Sequence, residues 1–396
     1  MWVIYLDYQA TTPCDARVIA EMLPYFSAEF GNPNSPHLLG RHAADAVDTA
    51  RGRVAALIGA QPGEVLFSSG ATESNNLAIL GIHELPGCRG KRVITSPIEH
   101  KSVLGPCFRL REDGWEVDLL RVDRQGNVDL EHLTALLARG ATLVTVQASN
   151  SEIGTMQEIP VVAEIGHASG AAVHCDATQS VGKVQVNVDE LGVDLLSFSA
   201  HKLCGPKGIG ALYVRGGFAQ RSLSPLAFGG GQEGGLRPGT PNVPGIVGFG
   251  KACELCQGEM SGESERVVAL RDELERLLEE TIPGIRFNGA LKSRLPGCSS
   301  VTFPGIEADA LLANLPGVAL STGSACSSGA LEPSHVLTAI GISREDAYST
   351  IRIGMGRYTS REEVEQASCL IEKAYSTLVA LQETDTQGRQ PEPRSL

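Results

Sequence analysis

The sequence predicts an α/β fold, a mainly parallel central sheet flanked by helices, with a smaller α+β domain beside it. Apolar runs of strand length alternate with helix-length segments from about residue 50 to 215, the pattern of parallel strands joined by crossover helices. The chain holds 45 glycines in 396 residues, above an average usage of roughly 7%. Many stand where an apolar run ends, as in "SSGATES", "SVGK" and "FGGGQEGG". After "GGGQEGGLRPGTPNVPG" the character changes, and a helix with Val267, Leu270, Leu274, Leu277 and Leu278 on one face opens the second region.

The strand candidates are "EVLFSS", "KRVITS", "WEVDLLRV", "ATLVTVQAS", "AAVHCDA", "VDLLSFS" and "IGALYV". Most are separated by enough residues for a crossover helix. The link between the last two is too short for one and lacks helical periodicity, so one strand there is expected to run antiparallel. Shorter strands follow the long helix, and a final helix is expected from Ser360, where "SREE" fits a capping box. The division expected is a large α/β domain over 13–260 and a small α+β domain made of 1–12 with 261–381. Residues 382–396, polar and aperiodic, read as a disordered tail.

The net charge of −13, with basic residues scattered among acids, leaves no stripe for a phosphate backbone and argues against direct nucleic-acid binding. No run of eighteen apolar residues occurs and Asp7 interrupts the N-terminal apolar stretch, so neither a membrane span nor a signal peptide is expected. Ten cysteines at irregular spacing read as thiols in a reducing compartment rather than as a disulfide framework. A cytoplasmic location follows. The pair Cys253 and Cys256 lacks the second pair or the histidines a zinc site needs, and no metal is expected.

In open parallel sheets ligands sit beyond the carboxyl ends of the strands. In "SSGATESNNLAI", Gly70, Ala71 and Thr72 stand at a turn into a helix, where free N–H groups favour an anion, although Thr72 also fits a plain N-cap. Asp176 ends a strand with Gln179 three residues on, a place where an acid commonly forms a turn. His100 follows another strand in "TSPIEHKSVL", and Lys202 follows a third in "SFSAHKLCGPKG". Together a lysine, an acid on a neighbouring strand end and an anion cradle match what pyridoxal phosphate requires: an amine for the Schiff base, a partner for the pyridine nitrogen and a phosphate site.

The ordered set of motifs is more specific than any one of them. From "YLDYQATTP" through "GNPNSPH", "SSGATESNNLAI", "EHKSVL", "HCDATQSVGK", "SFSAHKLCGPKGIGALYV" and "GGGQEGGLRPGT" to "STGSACSSGALEPSHVL" and "IRIGMGRYTSREE", the chain resembles the cysteine desulfurases of the NifS/IscS type. These form part of the class V aminotransferase branch of the fold-type I pyridoxal-phosphate enzymes. The resemblance covers the chain to about residue 381 and implies a PLP-dependent transferase fold.

Carried over by motif, the resemblance makes Lys202 the Schiff-base lysine and Asp176 the partner of the pyridinium nitrogen. Gln179 would bond the phenolic oxygen, and His100 would stack on the ring and move protons. Ser199, His201, Ala71 and Thr72 would hold the phosphate, with Thr240 of "RPGT" reaching in from the second subunit of a homodimer. Arg352 would clamp the substrate carboxylate with a bidentate pair, assisted by Asn32. Cys326, in a Ser/Gly-rich run suited to a mobile loop tip, would be the nucleophile that takes sulfur from L-cysteine, leaving alanine, and passes it to an acceptor protein. The alternatives are a selenocysteine lyase, another class V aminotransferase, or a non-catalytic sulfur-relay adaptor.

Three departures stand out. Ser151 in "SNSEIG" replaces an asparagine of the family's "NNEIG", so Ser151, a water or Asn150 would meet the cofactor's phenolic side. Gly234 replaces the arginine of "GGGQERG". The C-terminal segment lacks the "SPLWE"-like stretch of housekeeping members, which favours a specialised enzyme. Iron–sulfur assembly, tRNA thiolation and DNA phosphorothioation remain its possible destinations.

Overall fold

The computed structural model describes residues 3–84, 90–218, 223–322 and 332–388. After β1 (Ile4–Tyr5), the seven expected runs form β2 (Val65–Ser68), β3 (Arg92–Thr95), β4 (Glu116–Leu119), β5 (Leu143–Thr145), β6 (Ala172–Asp176), β7 (Leu195–Ser199) and β8 (Gly210–Val214). They build one sheet in the order β2-β8-β7-β6-β5-β3-β4. Every pair is parallel except those of β8, which runs antiparallel to β2 and β7. The short link from β7 permits only this reversal.

Helices α1 (Ala16–Met22), α2 (Leu38–Leu57), α3 (Ala71–Leu80), α4 (Lys101–Glu112), α5 (Leu130–Leu137), α6 (Ile159–Ala168) and α7 (Val188–Leu191) lie before and between these strands. Both sheet faces are buried except at edge strand β4, whose Glu116 and Leu119 are exposed, which is why the other strands read as mainly apolar runs. Val65, Phe67, Leu196, Phe198, Ala211 and Tyr213 pack in one core with Val47 and Val54 of α2. Their alternates Leu66, Leu195, Leu212 and Val214 pack in another with Leu77 of α3 and Val103 of α4.

A third core gathers around the rest of the chain. It comprises the long α8 (Val243–Thr281), β9 (Arg286–Asn288), β10 (Cys298–Thr302), α9 (Ala308–Ala313), β11 (Val318–Ala319), α10 (His335–Ala339), α11 (Arg344–Tyr348), β12 (Thr350–Gly354) and α12 (Arg361–Gly388). Strands β12, β10 and β9 form an antiparallel sheet, and β1 pairs with β11, bringing Ile4 and Leu6 into this core. Helix α8 spans two cores, with Ile246, Phe249 and Cys253 against the large sheet and Val267, Leu270, Leu274 and Leu278 in the smaller one. The expected 260/261 boundary therefore falls inside one continuous helix.

The capping box of α12 forms in both directions. The Ser360 N–H donates to Glu363 Oε2 at 2.9 Å and the Glu363 N–H to Ser360 Oγ at 3.1 Å. The expectation of a disordered tail from residue 382 is corrected in part: α12 continues through Gly388, taking in the first seven residues of that stretch, with the Thr384 hydroxyl bonding back to the Ala380 carbonyl at 3.2 Å. Residues 389–396 lie outside the described residues. No described helix is long and apolar enough to cross a membrane. Cys253 and Cys256 are buried in α8, and burial holds both thiols protonated, Cys256 at about 12.

Candidate active site

The carboxyl ends of β2, β7, β6, β5 and β3 share one edge of the sheet, because β8 reverses between β7 and β2. Leaving that edge, the chain enters α3 after β2, passes through His100 into α4 after β3, and meets Asp176 at the tip of β6. It reaches Lys202 through a single 3₁₀ turn (Ala200–Lys202) after β7. Asp176 stands opposite Ser197 in the β6–β7 register, so the acid and the lysine follow from adjacent strands.

Lys202 reaches across to the N-terminal segment. Its Nζ donates to the carbonyl oxygens of Gln9 at 2.5 Å and Ala10 at 2.7 Å. The same segment receives His201: its Nδ1 lies 3.1 Å from Thr11 Oγ1, while Thr12 donates through N–H and Oγ1 to the His201 carbonyl. Burial, with the charges of Lys202, Lys207 and Lys183, pushes His201 down to about 4. Gln179 joins this group, its Nε2 donating to the Gln9 carbonyl at 3.0 Å.

A directed chain of hydrogen bonds joins Asp176 to His100. Asn75 Nδ2 on α3 donates to Asp176 Oδ2 at 2.8 Å and to Ser102 Oγ at 2.9 Å. Ser102 Oγ lies 2.7 Å from His100 Nδ1, which also accepts the Ser102 backbone N–H at 3.1 Å. An N–H can only donate, so Nδ1 is the acceptor and the ring proton belongs on Nε2. Burial holds His100 below its ordinary value despite the neighbouring Asp176 carboxylate. Sequence reading singled out neither Asn75 nor Ser102, although "SNNLAI" and "EHKSVL" contain both.

Helix α3 opens at Gly70 without a side-chain cap, which leaves the N–H groups of Ala71 and Thr72 at its unsatisfied end. Ser199 borders this opening, since a Cβ on Gly70 would lie 3.8 Å from its Oγ. The approach depends on Gly210: a Cβ there would stand 2.7 Å from both the Gly70 Cα and the Phe198 carbonyl oxygen. Ala71 and Ser199 thus border one anion-favouring end, with Thr72 exposed at the same turn, and His201 follows two residues after Ser199.

Arg352 on β12 is already engaged. Its Nη2 pairs with Asp7 Oδ1 at 2.7 Å, Nη1 donates to the Ser151 carbonyl at 3.2 Å, and buried Nε has no partner among the described residues. Ser151 therefore meets Arg352 through its backbone. The neighbouring Asn150 carboxamide is held elsewhere: its Oδ1 accepts the Glu152 and Ile153 N–H groups, and its Nδ2 donates to the Ile98 carbonyl. Asn32 is exposed and caps its own turn, its Oδ1 accepting the Asn34 N–H at 3.0 Å. Thr240 is exposed. Cys326 lies outside the described residues.

These groups suit pyridoxal phosphate. An amine and a carboxylate project from adjacent strand ends, and a helix terminus crowded by backbone presents amides where side chains beyond glycine would not fit. Asn75 Oδ1 and Thr178 Oγ1 are buried beside Asp176 without partners among the described residues, polar atoms of a kind that a bound polar ligand satisfies.

The sequence profile described as Aminotransferase class-V matches residues 4–367, and the chain belongs to that family. A relative from Anaeromyxobacter sp. (strain Fw109-5), cysteine desulfurase IscS, is 46% identical over 369 residues, covering 93% of this chain and 91% of its own. Within the family the chain is a cysteine desulfurase of the NifS/IscS type. Its fold matches a solved NifS-like protein with a TM-score of 0.87 at 38% identity, over 96% of this chain and 100% of the other. SspA in complex with cysteine gives 0.79 at 37% identity, over 90% and 99%.

Proposed function

We propose that this desulfurase converts L-cysteine to L-alanine with pyridoxal phosphate bound at Lys202, and passes the sulfur through Cys326 to an acceptor protein. The observation that carries the reading is the pairing of Lys202 and Asp176 on adjacent strand ends beside the open terminus of α3. When bound there, the cofactor supplies an electron sink for bond breaking at the amino acid. Asp176, oriented by Asn75 Nδ2, holds the pyridine nitrogen in its protonated form. Gln179 donates to the phenolic oxygen, while Ala71, Thr72, Ser199 and His201 take the phosphate.

Arg352 binds the substrate carboxylate, with Asn32 assisting. Lys202 Nζ removes the Cα proton, held in reach by the carbonyls of Gln9 and Ala10. His100, neutral with its proton on Nε2, is a proton donor on the other side of Asp176. The Cys326 thiolate then attacks the substrate sulfur. The Cβ–S bond breaks as an S–S bond forms, which leaves a persulfide on Cys326 and the carbon skeleton as alanine.

The reading includes the large region 13–260 as the cofactor-binding part and residues 1–12 with 261–381 as the part that brings in Cys326. It also includes a homodimer in which Thr240 completes the partner's phosphate site, and a cytoplasmic setting in keeping with described cysteines that are all free thiols. The test is a visible spectrum of the purified protein, then addition of L-cysteine with sulfide and alanine quantified for wild type and Cys326→Ala. Cofactor colour with equimolar alanine and sulfide, lost in the variant, is expected. Colour without cysteine turnover would overturn the substrate assignment, and turnover that survives in Cys326→Ala would overturn the persulfide role.

A further inference from the structure

Gln179 is held from both sides by groups that leave its carboxamide one orientation. Lys183 Nζ donates to Gln179 Oε1 at 2.8 Å, and Gln179 Nε2 donates to the Gln9 carbonyl at 3.0 Å, the oxygen that also accepts Lys202 Nζ at 2.5 Å. A lysine ammonium can only donate and a backbone carbonyl can only accept, so neither end of the amide can exchange places. The three bonds form a line from Lys183 through Gln179 and Gln9 to Lys202.

Lys183 has an unusual setting for a lysine. No carboxylate of the described residues pairs with its Nζ, and the groups that act on it include the Arg352 cation and the Cys298, Cys204 and Cys256 thiols. Burial pushes it down to about 8. A small cavity of about 40 Å³ is lined by both lysines together with Leu203, Met260 and Val267. Glu263, which also lines the cavity, is taken by Arg357 Nε at 2.8 Å, so the placement of Lys183 needs a reason other than ion pairing, and the Gln179 carboxamide is the group its Nζ touches.

We propose that Lys183 is a positioning residue for the cofactor site, fixing the Gln179 oxygen toward Nζ so that both amide hydrogens remain donors on the Lys202 side. One serves Gln9, and the other is left for an acceptor bound beside Asp176. A cation on the amide oxygen also polarises the N–H groups and strengthens what they donate. Without Lys183 the buried oxygen has no partner, and leaving such an acceptor unsatisfied favours rotation of the amide.

The inference rests on the proposed binding of pyridoxal phosphate at Lys202, and a double-mutant cycle separates the two. The apoenzyme is titrated with pyridoxal phosphate for wild type, Lys183→Met, Gln179→Leu and the double variant. The dissociation constant and the visible band at fixed pH are read, and a thermal melt checks folding. Methionine is close in length to lysine and suits the apolar cavity wall. Lys183→Met is expected to weaken cofactor binding about tenfold and to shift the band, and to add little once Gln179 is leucine. An unchanged constant and band in Lys183→Met, or an equal loss in both backgrounds, would overturn the positioning role. A wild-type apoenzyme that takes up no cofactor would instead sink the underlying reading. If Lys183→Met does not fold, Lys183→Ala carries the same cycle.

Discussion

Glu99 shows how a single buried group sets pH dependence in this protein. Its Oε1 accepts from Ser96 Oγ at 2.6 Å and from the Gln147 N–H at 3.1 Å, while Oε2 is buried without a partner among the described residues. Burial pushes the carboxyl up to about 8 from 4.5, so it is protonated at neutral pH. The folded state therefore holds a proton that the unfolded chain releases, and stability present below about 4.5 is lost as pH rises through about 8. Glu99→Gln keeps the shape without the proton, so its melting temperature should exceed that of wild type at pH 8, with the gap closing toward pH 4.5. A gap of equal size at both ends would mean that Glu99 is ionised in the fold. His174 acts in the opposite sense: burial between Thr145 and Ser197 pushes it down to about 4 from 6.5, so its contribution is lost as pH falls through that window. Arg352 illustrates a candidate whose surroundings the sequence does not reveal. Asp7, 345 positions away in sequence, holds its Nη2, a contact no local pattern announces. Lysine cannot reproduce a fork that serves Asp7, the Ser151 carbonyl and a carboxylate together. Loss of charged hydrogen bonds worth about 1.5–3 kcal/mol predicts that Arg352→Lys raises the KM for L-cysteine roughly ten- to hundredfold while the cofactor band stays in place. A KM unchanged from wild type would remove Arg352 from substrate binding.

Elements were most legible where one local rule decides them. Six of the seven large-sheet strands are mainly apolar runs because both faces are covered, the exception being edge strand β4 with exposed Glu116 and Leu119, and the antiparallel placement of β8 follows from the length of its link to β7. The start of α12 was legible for the same reason, as the Ser360 and Glu363 spacing suffices to build the capping box. Ser360→Ala should lower stability by about 1 kcal/mol in denaturant titration, with little change in the slope of the transition. The end of α12 was misread because polar residues without periodicity also suit an exposed helix, and composition does not separate the two. The first turns of α8 carry no apolar stripe because they bury Gly245, Gly248 and Gly250. Gly234 has an account only in three dimensions. It adopts φ +64°, and a Cβ there would meet the Phe218 ring at 2.8 Å, so the arginine common in the family does not fit this backbone. Just before it, Glu233 takes both Arg51 Nη atoms and the Phe67 N–H, tying the loop to β2. Gly234→Arg is predicted to lower stability by about 1–2 kcal/mol, the expense of a left-handed conformation for a residue with a Cβ. A variant as stable as wild type would show that the loop can adopt a second path.

At the scale of the whole molecule, the distribution of exposed apolar side chains favours assembly as a pair. Phe228 is 89% exposed, Phe30 66%, Phe26 64% and Leu23 59%, more bulky apolar surface than a solitary chain usually leaves to water. Phe228 immediately precedes the "GGGQEGGLRPGT" loop that ends in exposed Thr240, and this loop is anchored at its base by Arg51 and Glu233. An anchored loop with an uncovered aromatic and an outward threonine fits a role outside its own subunit, whereas Ser199 borders the open end of α3 within the same chain. The proposed homodimer would supply both a cover for Phe228 and a phosphate site for Thr240. Analytical ultracentrifugation should therefore give a dimer for wild type and a shift toward monomer for Phe228→Glu, since a charge at the centre of an apolar contact is strongly disfavoured. Because the phosphate cradle would then lose its donor from the other subunit, the monomeric variant should also bind pyridoxal phosphate more weakly, and raising its concentration should restore both properties together. Wild type that sediments as a monomer, or a monomeric variant with undiminished cofactor affinity, would separate the exposed face from the active site and leave Thr240 without a catalytic partner.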